Sequence, residues 1–260
     1  MPRPPGDCLD SVLVERHSYL RALIDQPRSK CDLEDEIDGS RSTLDRALRD
    51  LADADLATYE DGVWKPTPLG RCSYRTRNAY LERLENLAEA APLFNELSSG
   101  SPVDCAFVIG ADVHEADPSM PDAVMQRLLD SIEGGQDVSV VTPVVVTGFA
   151  EEFYECVSQG ESYSLELLIP PDVFERTRAA FPTLTDELLD DENVSLHTAS
   201  IPFSFGLWIV DSAEADIIIF TDQGVRGILV NDTTEALDWA TEQYERVKQD
   251  ADPVFLRGRV

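Results

Sequence analysis

Between Ser40 and Leu51 the chain reads Ser-Arg-Ser-Thr-Leu-Asp-Arg-Ala-Leu-Arg-Asp-Leu, and this run narrows the possible folds more than any other. Leu44, Ala47, Leu48 and Leu51 recur at the helical period, so a helix over 41–54 turns them to one side. The other side then carries Arg41, Ser42, Thr43, Asp45, Arg46 and Arg49. Ser40 is a good N-cap, because its hydroxyl accepts from an unpaired amide of the first turn. Upstream, Leu9, Val12, Leu13, Leu20, Leu23 and Ile24 predict a helix over 9–24. Asp25-Gln-Pro-Arg28 interrupts it, and Leu33 and Ile37 mark a short helix over 29–37. Asp38-Gly39 then reads as a tight turn with glycine in the left-handed region. Downstream, Asp61-Gly62 separates Leu56-Ala-Thr-Tyr-Glu60 from Val63-Trp-Lys-Pro-Thr67, a strong hairpin signal. Helix, helix, turn, helix, hairpin is the order of a winged helix-turn-helix.

In such a unit the third helix enters the major groove of double-stranded DNA. Arg41, Ser42, Thr43 and Arg46 stand in its N-terminal half, with Arg49 one turn on. Arginine suits base reading because its planar fork matches the two acceptors of guanine. Asp45 would hold a neighbouring arginine in place. Arg28 and Lys30 open the second helix, where phosphate binds readily, and Lys65 lies in the wing. With Ser40 at the cap, these nine residues form the expected DNA-binding set. Taken alone, the arginines also fit the solvated face of any amphipathic helix; the adjoining turn and wing favour nucleic acid.

A helix over 68–91 follows, with Tyr80, Leu84, Leu87 and Ala91 on one stripe. It reads equally as a dimerisation or linker helix and as one packed on its own domain, and Pro92 argues against a long coiled coil. Beyond Ser98-Ser-Gly-Ser-Pro102, strand-like and helix-like runs alternate. Strands are expected over 103–109, 138–146, 163–169, 194–200, 207–210, 217–220 and 227–230. Helices are expected over 122–132, 151–158, 172–181 and 233–249. The expectation is a two-domain chain of α+β and α/β character. It comprises a winged helix-turn-helix (1–70), a linker helix (71–97) and a C-terminal α/β sensor domain (98–260). The sheet of the last is mixed, because its final strands lie close together in sequence.

The C-terminal domain offers few site signals. Ile201-Pro-Phe-Ser-Phe-Gly-Leu-Trp208 is rich in aromatics, with Asp211 and Asp222 close by. Phe203, Phe205 and Trp208 read first as sheet core; alternatively they line a ligand pocket with those two carboxylates as anchors. Gly134-Gly135 reads as a helix C-cap. His114 and Glu115 fall in an acidic loop, solvated or cation-binding. The five cysteines and three histidines have no metal-site spacing, so neither metal nor cofactor is expected. There is no G-x-G-x-x-G, Walker loop, G-x-S-x-G or H-E-x-x-H.

Charge adds a constraint of its own. Fifty acidic residues face 21 basic ones, a net charge of −29, and only Lys30, Lys65 and Lys248 are lysines. The imbalance is uneven: residues 1–85 hold 13 bases and 17 acids, leaving the remainder far more acidic. This is how a nucleic-acid-binding domain looks inside a halophilic proteome. Such Asp-rich, Lys-poor composition resembles that of proteins from salt-in halophilic archaea and implies a potassium-rich cytoplasm. The first fifteen residues hold four prolines and glycines and no apolar run, unlike a signal peptide. Runs such as 217–220 fall far short of the roughly 20 residues of a membrane span. A cytoplasmic protein without a membrane partner is expected.

Three N-terminal segments together resemble haloarchaeal winged-helix regulators: the 40–51 run, Tyr59-Glu-Asp-Gly-Val-Trp64 and Thr67-Pro-Leu-Gly70. The second domain is similar to the middle domain of the archaeal methanogenesis and filament regulator. The matching pieces are Asp117-Pro-Ser-Met-Pro121, Thr142-Pro-Val144, Gly206-Leu-Trp-Ile-Val-Asp211, Gly227-Ile-Leu-Val-Asn-Asp232 and Ala236-Leu-Asp-Trp-Ala240. More distantly the chain resembles TrmB-type sugar-responsive regulators, whose sensor is phospholipase D-like. His197 is followed by Thr198 and Ala199, so the His-x-Lys pair of phospholipase chemistry is missing. The resemblance implies a homodimeric transcription factor that reads DNA and senses an unassigned small molecule or signal. The competing readings are a winged-helix adaptor that binds protein and an enzyme of the C-terminal domain.

Carboxylate excess repels itself in dilute buffer, whereas at 1 M salt the screening length falls to about 3 Å. The melting temperature is therefore expected to rise from dilute to molar potassium chloride. Equal values by scanning calorimetry at both extremes would contradict the halophilic reading.

Overall fold

The chain forms two compact units, residues 1–84 and 85–260. The computed structural model describes residues 5–117, 119–120, 122–146, 148–158 and 163–255. Pro118 and Pro121 of the Asp117–Pro121 motif lie outside the described residues.

Apolar periodicity builds the first unit. Helices α1 (Pro5–Asp25), α2 (Lys30–Glu36) and α3 (Arg41–Asp53) precede a hairpin of β1 (Ala57–Glu60) and β2 (Val63–Pro66). Leu20, Leu23, Leu33, Leu44, Leu48, Leu51 and Leu56 close one core. α1 bends at Arg16 (φ −118°, ψ 15°), whose guanidinium reaches Asp50 of α3 at 2.8–2.9 Å. Ser29 caps α2 in a capping box with Asp32. The Asp61-Gly62 turn has positive φ at both residues, 52° and 84°, as a type I′ hairpin requires. Gly39 has no positive φ, contrary to the sequence expectation. Its lack of a side chain instead leaves room for the Tyr19 hydroxyl, 3.4 Å from where a Cβ would stand.

Helix α4 (Pro68–Phe94) starts close against the hairpin and runs on past Pro92. The expected end at 91 is thus three residues short, since a proline in the final turn removes only one amide from the ladder. At its start Thr67 donates to the Asp55 carbonyl (2.5 Å) and accepts from the Gly70 amide (2.9 Å). A Cβ on Gly70 would lie 2.0 Å from the Leu56 carbonyl oxygen, so only glycine fits.

The second unit is a mixed α/β layer structure. Its elements are α5 (Cys105–Val108), β3 (Asp112–Glu115), α6 (Asp122–Ile132), β4 (Asp137–Val141), α7 (Ala150–Ser158), β5 (Ser164–Ile169), α8 (Pro171–Ala180), α9 (Pro182–Asp190) and β6 (Val194–Thr198). β7 (Gly206–Val210), β8 (Glu214–Thr221), β9 (Gly224–Asn231), α10 (Thr234–Lys248) and β10 (Asp252–Pro253) complete it. Among the described residues the strand order is β10-β6-β5-β4-β7-β8-β9-β3. β4, β5 and β6 are parallel, and β7, β8, β9 and β3 continue antiparallel from β4.

Alternate residues serve opposite faces. Val141, Leu168, Leu207, Ile217 and Leu229 pack with Phe107 and Trp239 of α5 and α10. Val138, Leu165, Trp208, Ile218 and Ile228 pack with Leu128 and Phe153 of α6 and α7. Three expectations fail here. Residues 103–109 are not a strand, because Asp104 caps the short α5 through the Ala106 amide (2.8 Å). His114 and Glu115 belong to β3 rather than a loop, paired with β9 at the sheet edge. The strand expected to reach 146 ends at Val141, before Thr142-Pro143. Gly134 takes φ 80° just after α6, as a C-cap glycine does.

Gly70→Ala is expected to destabilise the first unit by at least about 2 kcal/mol, because a backbone carbonyl cannot yield to the added methyl. Circular dichroism melting should show a loss of several degrees; an unchanged transition would reject this packing.

Candidate nucleic-acid interface and buried cavity

The nine predicted DNA-binding residues separate into two groups. Ser42, Arg46 and Arg49, at i, i+4 and i+7, form one outward stripe on α3, and all three are exposed. Among the described residues Arg46 and Arg49 make no hydrogen bond or ion pair. The neighbouring stripe is tied to α2: Arg41 forks onto Glu34 (2.8 and 3.4 Å), and Lys30 meets Asp45 at 2.6 Å. The hydrogen bond from Lys30, with the Lys30, Arg41 and Arg49 charges, holds the Asp45 carboxyl below its usual range. Ser40 is occupied as a cap: its hydroxyl accepts from the Thr43 amide (3.2 Å) and meets the Ser42 and Thr43 hydroxyls at 2.8 and 2.9 Å.

Arg28 is placed for structure rather than for phosphate. Its backbone exchanges two hydrogen bonds with Trp64 (3.1 and 2.7 Å), adding a rung beside the wing. Its guanidinium pairs with Glu36 and donates to the Ala22 carbonyl (3.3 Å), leaving the side chain 17% exposed. Lys65 lies on β2, 3.3 Å from Asp61 and 3.7 Å from Glu60. Tyr59, outside the predicted set, is exposed on the wing and tilted against Trp64. Its signal in the sequence was an aromatic two residues before the Asp61-Gly62 turn.

In the second unit the predicted ligand residues do not converge. Phe203 and Phe205 stack (4.2 Å, 9°) in the core under α10. Trp208 faces the other way, against Phe149 and Phe153. Asp211 (φ 52°) closes a turn by accepting from the Gln136 and Asp137 amides, both at 2.8 Å. Asp222 is exposed in the β8–β9 turn. Of the five, Trp208 lines a cavity of about 120 Å³ between the sheet and α6–α9, and the other four are not among its described lining residues. Phe149, Phe153, Leu167, Phe174 and Ile218 line it as well. Phe149 and Phe153 stand four apart, the sequence signal that would have joined them to Trp208.

A half-buried ionic cluster and one buried carboxyl complete the picture. Glu166, Lys248 and His197 cluster at 2.8 and 3.6 Å. Burial pushes the Glu166 carboxyl up, and Lys248, with Tyr244 and His197, more than offsets it, leaving it below its usual range. Asp216 on β8 is fully buried; it accepts from the Ser131 hydroxyl (3.0 Å), while its Oδ1 has no partner among the described residues. Burial first, then the Glu214 charge, pushes its carboxyl up from 3.8 to about 7. Among the described residues no cluster of His, Cys, Asp and Glu suits a metal ion. Nor, among them, is any helix long and apolar enough to cross a membrane.

A three-helix unit with a wing, followed by an α/β domain of mixed sheet, defines the class of winged-helix proteins carrying a second α/β domain. Residues 121–250 match the family model described as the methanogenesis regulatory protein FilR1, middle domain, and residues 10–89 match that of the HVO_A0261 N-terminal domain. The chain belongs to the FilR1 middle-domain family. No curated protein matches it. Among solved structures it is similar to TrmBL2, an archaeal chromatin protein described as showing a novel mode of DNA binding. That likeness has 12% identity and a TM-score of 0.42, and covers 90% of this chain and 92% of that one. It is also similar to Nuc of Salmonella typhimurium, a phospholipase D family member, at 11% identity and a TM-score of 0.44, covering 56% and 98%. A third, the methyltransferase SibL, gives 16% identity and a TM-score of 0.27, covering 75% and 63%. Likenesses this weak bear on no function.

Asp216 has a pH consequence. Its folded pKa exceeds its unfolded one, so the protonated carboxyl favours the fold below about pH 4 and the advantage is lost as pH rises through about 7. Asp216→Asn is therefore expected to be more stable than the parent at pH 8, by about 1–3 kcal/mol, with a smaller difference at pH 5. Parallel pH–stability curves for the two proteins would reject this.

Proposed function

We propose that the chain is a sequence-specific, DNA-binding transcriptional regulator and not an enzyme. In this reading the winged helix enters the major groove and the C-terminal domain senses a ligand or signal. The observation that carries it is the outward stripe of Ser42, Arg46 and Arg49, left open while the leucines of the same helix are buried. Membership of a regulatory-protein family supports it. Arg41 and Lys30 are a reserve: each holds a partly exposed carboxylate that a phosphate or base edge replaces on binding. Arg28 leaves the proposed contact set, since its pairing with Glu36 anchors α2.

The proposed regulator acts as a homodimer. Val14, Leu69, Tyr80 and Leu84 are exposed apolar side chains on α1 and α4, between 42% and 55% accessible. Val14, Leu69 and Tyr80 line one groove, an apolar surface that favours a protein partner, and a second copy presents the same surface. The proposed setting is a potassium-rich cytoplasm. Phosphate contacts alone lose affinity there at a log–log slope near −0.9 per contact, so base-edge contacts and dimer avidity carry the binding.

Arg46→Ala combined with Arg49→Ala is expected to weaken specific binding to the upstream region of its own gene at least about 30-fold while the fold survives, since each base-reading pair is worth about 1–3 kcal/mol. Mobility shift and footprinting check this, with circular dichroism for the fold. The parent should lose little affinity between 1 and 3 M potassium chloride. An unchanged footprint for the variant would reject the reading helix; absence of any shift by the parent would transfer the chain to the adaptor reading.

A further inference from the structure

We infer that the cavity of the second unit is a binding site for a small, neutral, apolar molecule, a ring or branched chain of about six to eight carbons. The inference names the ligand class for the sensing role proposed above, and rests on that proposal for its regulatory consequence but not for the binding itself.

Size comes first. The cavity holds about 120 Å³. An engineered apolar cavity of about 150 Å³ in another protein stays dry and takes up benzene, so this volume suits one ring and excludes a nucleotide or a sugar chain.

Chemistry comes second. The wall is made by Val140, Leu167, Trp208 and Ile218 of the sheet and by Phe153 and Phe174 of the helices. Among the described residues no acidic or basic side chain lines it. Its hydroxyls are already used: Thr142 donates to the Val144 carbonyl (2.6 Å), Thr185 to that of Phe181 (2.9 Å), and Tyr154 to Asp191 (2.6 Å). Thr177 alone among the lining hydroxyls has no partner among the described residues. A ligand therefore finds at most one polar anchor. A charged or polyhydroxylated molecule would lose its hydration without replacement, at a cost of several kcal/mol per group by general transfer data.

Position comes third. Leu167 and Ile169 end β5, and Thr142, Val144 and Val146 follow β4, so the cavity opens at the carboxyl ends of two parallel strands. Ligands of open α/β sheets sit at such ends. β4 is also the strand where the sheet changes from parallel to antiparallel neighbours. Its wall is drawn from four helices and six strands, so filling it alters how those elements pack.

Benzene, and cyclohexane as a non-aromatic counterpart, are the probes, with glucose and inorganic phosphate as polar controls, all with the full-length chain in molar potassium chloride. Benzene is expected to bind saturably and to raise the melting temperature by about 3–6 °C at ten times its Kd. It should also give magnetisation transfer to the ring protons of Trp208. Leu188→Phe, which fills the cavity from α9, and Val146→Phe, which fills it from the strand end, should each abolish that shift. If neither variant folds, the transfer to Trp208 in the parent still decides. Arg46→Ala with Arg49→Ala must leave benzene binding unchanged, which separates this site from the DNA-reading proposal. Overturning results are binding of benzene undiminished by either folded filling variant, transfer to Trp64 or Trp239 instead, no saturable binding, or stabilisation by glucose or phosphate alone.

Discussion

Burial of one stripe of α3 is the constraint from which the first unit follows. Leu44, Ala47, Leu48 and Leu51 are at most 3% exposed, and fully burying each such leucine is worth roughly 1.5–3 kcal/mol. Once that stripe faces α1 and the hairpin, the helical period leaves Ser42, Arg46 and Arg49 no direction but outward. The wing then lies beside α3 because Leu56 continues the same core and the Asp61-Gly62 turn brings β2 back to pair with β1.

The second unit answers a different constraint: a sheet with two apolar faces must be covered twice. α5 and α10 close one face tightly, with Phe107 and Trp239 at 5.2 Å. The other face is covered by four helices of modest length, and their convergence over Leu167 and Trp208 leaves the cavity. Two carboxyls of shifted pKa, Asp216 and Glu166, lie on strands of the sheet, where Ser131 and Lys248 of the covering helices hold them. Such groups cost stability unless paired, which is why Ser131 and Lys248 stand where they do.

Charge is distributed in accord with these layers. The excess carboxylates need solvent and a screening counter-ion rather than a partner, so the acidic surface constrains the medium more than the fold. Cations of both units are matched by carboxylates of the same unit, as in Arg28–Glu36, Lys30–Asp45 and Arg41–Glu34 of the first and Arg226–Glu115 and Arg246–Glu242 of the second.

Local rules were enough to make much of this legible. The ends of α2, α3 and α6, the hairpin turn and the existence of β5–β9 all follow from period, caps and turn residues, which act within a few positions of the chain. The failures came where a local signal was overridden or weak. Val103–Ile109 is apolar enough for a strand, yet Asp104 caps a helical turn there, and β3 is too polar to announce itself without β9 beside it. The sequence by itself determined which side of α3 is apolar, because that depends only on spacing. Only the tertiary structure decided which arginines are open and which are spent, and that Trp208 turns toward a cavity while Phe203 and Phe205 turn into the opposite core. Those outcomes depend on groups far apart in the chain, Arg16 with Asp50 or Phe149 with Trp208, and no local period records them.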